Sequence, residues 1–381
     1  MKKIVYWSPV ISKIATFNAV IRSAESLKTY SSDYDVTIIN TIGEYDEIKN
    51  NKHNIKIVDF FKKKKNYSGS GYFKTRISLL KIFLKNFFKL KKFLEQDKPD
   101  FLIIHLLTSL PLLLLVFFNF KTKFILRISG YPKMNFFRYV LWKIALKKIC
   151  CVISPTQKTS EYMYNLNVIK KDRIFTIYDP IIKYKQIKEL LNQKVNFNNY
   201  YIAIGRLTKQ KNLFLLLKVF KDLYENNLVK EKLLIIGEGE LKTEIVKYIN
   251  LNNLNNKVIL LGYKKNVFKY LFNAKAFLLT SLWEDPGFAL IEAAFCRVSL
   301  ISSDCNNGPR EFLEFKNNGF LFKSNSKHDL KQKILEFLNS DKMSIKNKKL
   351  NALKEAHKFS FFKHYLNLNN LLINENLSKS L

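Results

Sequence analysis

Short apolar runs alternate along this chain with longer stretches whose apolar positions recur every three or four residues. In the first half the runs are Ile4–Trp7, Val36–Ile39, Ile55–Val58, Phe101–His105, Phe124–Ile128 and Cys151–Ile153. In the second half they are Tyr201–Ile204, Lys232–Ile236, Val258–Leu260, Ala276–Leu279 and Ser299–Ser302. Between them lie amphipathic segments such as Leu213–Leu223 and Lys242–Asn250. Strands that are apolar throughout and alternate with helices predict α/β architecture with parallel, doubly wound sheets. Eleven strands exceed what one open sheet around a single core comfortably holds, so two Rossmann-like domains are expected. The predicted division is a first domain over 1–180, a linker over 181–199 and a second domain over 200–354. A terminal helical segment over 355–381 is expected to pack back toward the first domain. Asp179-Pro180 breaks the chain at the seam, and a polar stretch follows before Tyr201.

One apolar segment, Phe101–Phe120, is long enough to span a bilayer. It holds His105, Thr108, Ser109 and Pro111, and Thr108-Ser109-Leu110-Pro111 reads as a helix start. A strand, a loop and a buried helix over Leu110–Phe118 are therefore expected in place of a membrane span. The opening Met1-Lys2-Lys3 with its apolar run resembles a signal peptide, but Ser8, Pro9, Ser12 and Lys13 interrupt it, and a first buried strand fits better. The four cysteines, Cys150, Cys151, Cys296 and Cys305, form no CxxC and no zinc spacing, and read as core thiols. A reducing cytoplasmic setting is expected.

The charge changes this picture. Lysine and arginine number 65 against 31 acidic residues, a formal net charge of +34. The excess is mostly lysine, spread along a chain rich in Asn, Ile and Phe. Two readings stay open: a compositional bias, or a basic surface facing an anionic membrane. The stretch Phe60–Phe93, with Tyr67, Tyr72, Phe73, Phe83, Phe87 and Phe88 among lysines, fits either such a surface or an amphipathic helix with a solvated lysine face. Nucleic acid is not expected as a partner, because arginines, the usual base and phosphate readers, are few.

Chemistry-bearing residues concentrate in the second half. In Thr280-Ser281-Leu282-Trp283-Glu284-Asp285-Pro286-Gly287-Phe288-Ala289-Leu290-Ile291-Glu292, a strand ends, a loop carries Glu284, and Gly287 leads into a helix. Unpaired N–H groups and the dipole at a helix start favour an anion, and glycine lets a phosphate approach. Two carboxylates beside an anion site make sense for a sugar nucleotide, whose hydroxyls they would accept. Gly205-Arg206-Leu207-Thr208-Lys209-Gln210-Lys211-Asn212 follows a strand directly, placing Arg206 and Lys211 where ligands bind in open α/β sheets. Two cations there could neutralise a leaving diphosphate. A third turn, Gly237-Glu238-Gly239-Glu240-Leu241, and a fourth, Ser303-Asp304-Cys305-Asn306-Asn307-Gly308-Pro309-Arg310-Glu311, again lead from strand to helix.

These four blocks together resemble glycosyltransferase family 4, the retaining GT-B enzymes of bacterial surface polysaccharide synthesis. Glu284 and Glu292 match the family's E-x7-E pattern, and "GRLTKQKN", "GEGEL" and "SSDCNNGPREFL" match its other blocks in order. The likeness is strong from Tyr201 to Phe322; earlier, "DFLIIHLLTSL", "LRISGYP" and "ISPTQKTSEY" look similar. The resemblance implies a GT-B fold, with two Rossmann-like domains facing a cleft. It implies a hexosyltransferase using a UDP- or GDP-linked donor and a saccharide or lipid-linked acceptor, with no metal or other cofactor. Arg206 and Lys211 would hold the donor pyrophosphate from the Gly205 and Gly237 turns, and with Glu284 would carry catalysis. Glu292 would hold the ribose. Glu284 with the backbone of Gly287, Phe288, Ala289 and Leu290 would hold donor sugar and phosphate, and the base would lie against Gly262–Val267. Many relatives carry a glycine-rich loop after the first strand, where this chain offers Ser8, Ser12 and Thr16. Many also carry a histidine after the Phe124–Ile128 strand, where this chain has Arg127 and Ser129. His105, one strand earlier, is either an acceptor-side residue or a structural one. Asp33-Tyr34-Asp35 spells the D-x-D of metal-dependent glycosyltransferases but precedes its strand, and reads as a surface turn.

Three rival functions are weighed against this. A hydrolase or epimerase on the same fold would not explain the Arg206/Lys211 pair beside Glu284/Glu292. A nucleic-acid binder rests on charge alone. A nicotinamide-dependent oxidoreductase would need a full glycine fingerprint after the first strand.

Overall fold

A computed structural model describes residues 1–11, 15–49, 54–61, 72–191, 193–305, 307–314 and 317–374. Ser12, Lys13 and Tyr67, named above, lie outside them. The chain divides into two units, Met1–Pro180 with Phe361–Leu381, and Ile181–Ser360.

The first unit is built on seven strands: β1 (Lys2–Trp7), β2 (Tyr34–Asn40), β3 (Lys56–Asp59), β4 (Phe101–Ile104), β5 (Lys123–Arg127), β6 (Cys151–Ser154) and β7 (Ile174–Thr176). They form one sheet in the order β3-β2-β1-β4-β5-β6-β7, every pair parallel. Its helices are α1 (Ala15–Tyr30), α2 (Tyr72–Asp97), α3 (Ser109–Phe117), α4 (Phe136–Ala145) and α5 (Gln157–Asn165). The strands are apolar on both sides because helices cover both faces. On one face Leu90 and Leu94 of α2, Leu112 and Leu115 of α3 and Trp142 of α4 pack on Val5, Leu102, Phe124 and Leu126. On the other, Val20, Ala24 and Leu27 of α1 pack on Ile4, Tyr6, Val36 and Ile103, with Leu368, Leu371 and Leu372 from the far end of the chain.

The second unit holds α6 (Tyr184–Leu191), β8 (Tyr200–Ile204), α7 (Leu213–Glu225), β9 (Leu233–Ile236), α8 (Lys242–Leu251), β10 (Val258–Gly262), α9 (Phe268–Phe272) and β11 (Ala274–Leu279). It continues with α10 (Phe288–Phe295), β12 (Ser299–Asp304), α11 (Gly308–Glu314), β13 (Phe320–Lys323), α12 (Lys327–Asn339) and α13 (Lys342–Ala356). Its six strands run β10-β9-β8-β11-β12-β13, again all parallel. The strand order reverses direction between β8 and β11, which is the switch point where an open α/β sheet leaves a crevice at its carboxyl ends. Leu216, Leu217, Phe220 and Leu223 of α7 fill the core beside Tyr201, Leu233 and Ile235. Each fully buried side chain of this kind contributes roughly 1.5–3 kcal/mol. The last helix, α14 (Phe361–Ile373), returns to the first unit.

All eleven expected strands are present, and two more, β7 and β13, stand at the edges of the sheets. Phe101–Phe120 is a strand, a loop and a helix as expected, and no helix among the described residues is long and apolar enough to cross a membrane. Thr108 stands at the N-cap of α3, but its side chain makes no capping hydrogen bond. The four cysteines are free and buried. One expectation is corrected: Asp33-Tyr34-Asp35 is only partly a turn. Tyr34 and Asp35 already belong to β2, Tyr34 is buried, and its hydroxyl donates to Asn369 Oδ1 at 2.6 Å. A second concerns the aromatic stretch, in which Phe83 and Phe87 turn inward onto the core while Phe88 is exposed.

Candidate functional site

Three strand ends in the second unit are laced together by backbone hydrogen bonds. Gly205 N–H donates to the Ile236 carbonyl (3.0 Å), Leu207 N–H to that of Glu238 (2.9 Å), and Gly237 N–H to that of Gly262 (3.0 Å). This close approach needs glycine at 237, where a Cβ would lie 1.9 Å from the Gly205 carbonyl oxygen. Glycine also stands just after β8 and at the end of β10, where a Cβ would meet the side chains of Lys211 and Glu238.

On the other side of the switch point, the loop after β11 is tied to the loop after β8. Leu282 N–H donates to the Gln210 carbonyl (2.8 Å), Gln210 Nε2 to the Trp283 carbonyl (2.8 Å), and Thr280 Oγ1 to the Lys211 carbonyl (2.8 Å). These bonds bring Lys211 Nζ onto Glu284 Oε1, with both side chains largely buried. Ser281 Oγ donates to the same carboxylate oxygen at 2.6 Å. Beneath them lies a small cavity lined by Gly205, Lys211, Leu279, Thr280 and Ser281. Arg206 is exposed beside this pair, with its guanidinium 3.4 Å from Gln210 Oε1.

Gly287, at φ +94°, turns the chain from this loop into α10, a conformation a side chain would strain. Leu290 N–H is taken by the Gly287 carbonyl at 3.0 Å, and Leu290 is buried. An anion at this helix start would therefore be met by Phe288 and Ala289, a narrower cradle than the sequence implies. Glu292 is half-buried on the next turn of α10. The loop is braced by Asn307, beyond β12, whose Nδ2 donates to Asp285, and the turn carrying Asn307 is itself closed by the bidentate Arg310–Asp304 pair. The Gly262–Val267 loop ends at α9, where Asn266 Oδ1 accepts the Phe268 N–H at 3.1 Å and Val267 takes the N-cap position. Gly205, Arg206, Lys211, Gly237, Glu284 and Gly287, the residues expected on the donor side, thus gather at the carboxyl edge of one sheet. The sequence reading missed Ser281, Gln210 and Asn307, which hold the acid's loop; a polar residue closing an apolar strand, Thr280-Ser281, was the available signal.

In the first unit Ser8 and His105 follow β1 and β4, the two strands at that sheet's switch point. Thr16 Oγ1 lies 3.4 Å from Ser129 Oγ, which accepts from Arg127 at 2.9 Å. Arg127 is not offered outward: it is buried, and its guanidinium holds both oxygens of Asp179 at 2.5 and 2.6 Å. His105 is buried beside it, and its Nδ1 has no partner among the described residues. Burial first, then Arg127 and His364, push its pKa well below the usual value. A small cavity here is lined by His105, Arg127, Asp179, His364 and Ser23. His364 Nδ1 donates to the Tyr178 carbonyl (2.8 Å), so its Nε2 accepts from Ser23, which in turn accepts from the Tyr6 hydroxyl. Asp179, Ser23 and His364 were not among the expected residues.

Residues 181–358 match the family model for glycosyl transferases group 1. The second unit belongs to that family. Among similar proteins, an uncharacterized glycosyltransferase of Methanocaldococcus jannaschii is 33% identical over 60% of this chain and 62% of its own length. An N-acetylgalactosamine-N,N'-diacetylbacillosaminyl-diphospho-undecaprenol 4-alpha-N-acetylgalactosaminyltransferase of Campylobacter jejuni is 32% identical over 40% of this chain and 41% of its own. The chain thus spans less than two thirds of these relatives. The crystal structure of Anabaena HepE in complex with UDP and glucose matches 98% of this chain and 99% of that one, at a TM-score of 0.68 and 16% identity. The group 1 unit and the doubly wound sheet of the first unit together give the GT-B fold.

Proposed function

We propose that this chain is a retaining glycosyltransferase that moves a hexose-type sugar from a UDP- or GDP-linked donor to a saccharide or lipid-linked saccharide acceptor, in the building of a surface polysaccharide. One observation carries the reading: Lys211, Glu284 and the Gly287 helix start meet at the switch point of a single sheet, with Arg206 exposed beside them. A departing nucleoside diphosphate carries the charge that develops in the reaction. Lys211, fixed by Glu284, would meet that charge without reorganising, and Arg206 and the helix start add to it. Glu292 accepts the ribose hydroxyls. The acceptor hydroxyl attacks the anomeric carbon from the leaving-group face as the bond to the diphosphate breaks, and a donor phosphate oxygen takes its proton. Two cations and a helix terminus supply what a divalent metal otherwise would, so the reaction is metal-independent. The UDP and glucose held by the Anabaena protein and the diphospho-undecaprenol in the Campylobacter relative's name support this choice of substrates. A lipid-linked acceptor would place the enzyme at the inner face of the cytoplasmic membrane, with no nucleic-acid partner.

The test is thermal stability with UDP, GDP, ADP and dTDP in turn, on the wild type and on Glu292→Ala. A ligand at about 100 Kd stabilises by about 2.7 kcal/mol. One nucleotide stabilising the wild type and not the variant supports the donor site and identifies the base. No shift with any of the four sinks the proposal.

A further inference from the structure

Helices α2 and α4 of the first unit carry apolar side chains on the side turned away from that unit's core. In α2 the buried positions Ile82, Asn86, Leu90 and Leu94 step inward every fourth residue. The opposite side exposes Ile77, Leu80, Leu84 and Phe88, the last at 73%. A helix packed on a sheet ordinarily carries polar residues there. In α4, Trp142 and Ala145 are buried while Phe136, Phe137, Val140 and Ile144 are exposed, Phe137 at 82%. Between them α3 exposes Phe117. All three helices cover the same core cluster, so these side chains project from one side of one sheet. Apolar groups gathered in this way mark an interaction surface.

The charge around them selects the partner. No Asp or Glu occurs between Phe60 and Leu94, and none between Phe101 and Ser160. Lys81, Lys85, Lys89 and Lys92 lie exposed along α2, and Arg138, Lys143, Lys147 and Lys148 on or just after α4. A second copy of this chain would bring the same cations to the contact and be repelled. A nucleic acid would use the cations but not the aliphatic and phenyl tips. An anionic bilayer uses both, since the tips enter the acyl boundary while the lysines reach the headgroups.

We infer that the α2–α4 face docks this protein on an anionic lipid surface. The inference needs nothing from the second unit and stands or falls apart from the glycosyl-transfer reading. Only Phe88 of the aromatic residues first suspected in Phe60–Phe93 belongs to the described face; α4, which no sequence pattern singled out, supplies the other half.

The experiment is co-flotation of the full chain with phosphatidylcholine vesicles, with and without phosphatidylglycerol. It is run at about 0.1 M and about 1 M salt, where the screening length falls from roughly 10 Å to roughly 3 Å. The wild type should float with the anionic vesicles and retain part of that binding at high salt. The double variants Leu84→Glu/Phe88→Glu and Phe137→Glu/Ile144→Glu should each lower partitioning by about tenfold or more, as loss of inserted apolar groups requires. Their melting temperatures should stay at the wild-type value, because the replaced side chains are exposed. Lys81→Gln/Lys85→Gln should weaken binding at low salt and leave the high-salt remainder unchanged. The inference is overturned if the wild type stays in solution with anionic vesicles at low salt, or if both apolar variants float as it does. Tighter binding to duplex DNA than to the vesicles, or a dimer that the apolar variants dissociate, would also overturn it.

Discussion

Lys211 and Glu284, 73 residues apart, form a largely buried ion pair at the carboxyl ends of β8 and β11, the two strands that flank the switch point of the second sheet. Neither residue could hold its position alone. Lys211 is set by the Thr280 hydroxyl on its carbonyl, and Glu284 by Ser281.

Removing one partner leaves the other charge uncompensated in a low-dielectric site, at a cost of about 3 kcal/mol. Glu284→Gln and Lys211→Met should each lower the urea midpoint accordingly. The double variant should lose clearly less than the sum, because no charge is then stranded. Additive losses would mean that the pair does not act as a unit.

Gly237→Ala should destabilise by more than about 1 kcal/mol, since its Cβ meets backbone that cannot withdraw. Gly205→Ala meets only the Lys211 side chain, at 2.8 Å from Cε. It should cost less stability than Gly237→Ala, the strain at φ +159° remaining, and should lose nucleotide-induced stabilisation as Lys211 is displaced. Equal melting temperatures for the two variants would contradict this difference.

Burial holds the pKa values of His105 and His364 below the ordinary value. Above about pH 6.5 both imidazoles are neutral in the folded and unfolded states, and stability is complete. Below that pH the unfolded chain takes up protons that the native state refuses, so stability falls by up to about 1.4 kcal/mol per pH unit for each histidine until the folded pKa is reached. Nearby Arg127 reinforces the effect at both sites, and Asp179 opposes it at His364. Urea midpoints between pH 5 and 8, compared with those of His364→Gln, should show a shallower acid limb in the variant.

On the proposed mechanism, in which Lys211, Arg206 and the α10 terminus meet the charges on the leaving diphosphate, metal removal should leave transfer activity within about twofold. Initial rates with EDTA and with added magnesium check this. Abolition by EDTA, restored by magnesium, would refute the metal-independent mechanism.

Most of the eleven strands legible in the sequence owe their clarity to burial on both faces; β3 and β10, partly buried at the sheet edges, show only as short apolar runs. β7 and β13 escaped because they are short edge strands, and β13 begins directly after the polar turn Asn317-Asn318-Gly319. The glycines and charges expected on the donor side were legible because each lies in the segment that follows a strand, so local order places them. Arg127 and Asp179, 52 residues apart, and Ser23 and His364, 341 apart, meet only through the assembled first unit, and no local pattern announces them. Exposure was the least legible property: the spacing of Phe83, Phe87 and Phe88 does not say which of them faces inward.

The return of α14 to the first unit bears on how the protein is made. Its leucines complete that unit's core, and His364 closes the chain of hydroxyls from Tyr6 through Ser23. The second unit, by contrast, is one uninterrupted segment, Ile181–Ser360. During synthesis the part made later can finish folding while the part made first still waits for its last helix to leave the ribosome, a reversal of the usual amino-terminal-first order. A nascent chain halted at Ser360 would carry a finished group 1 unit behind a first unit that lacks one flank of its core.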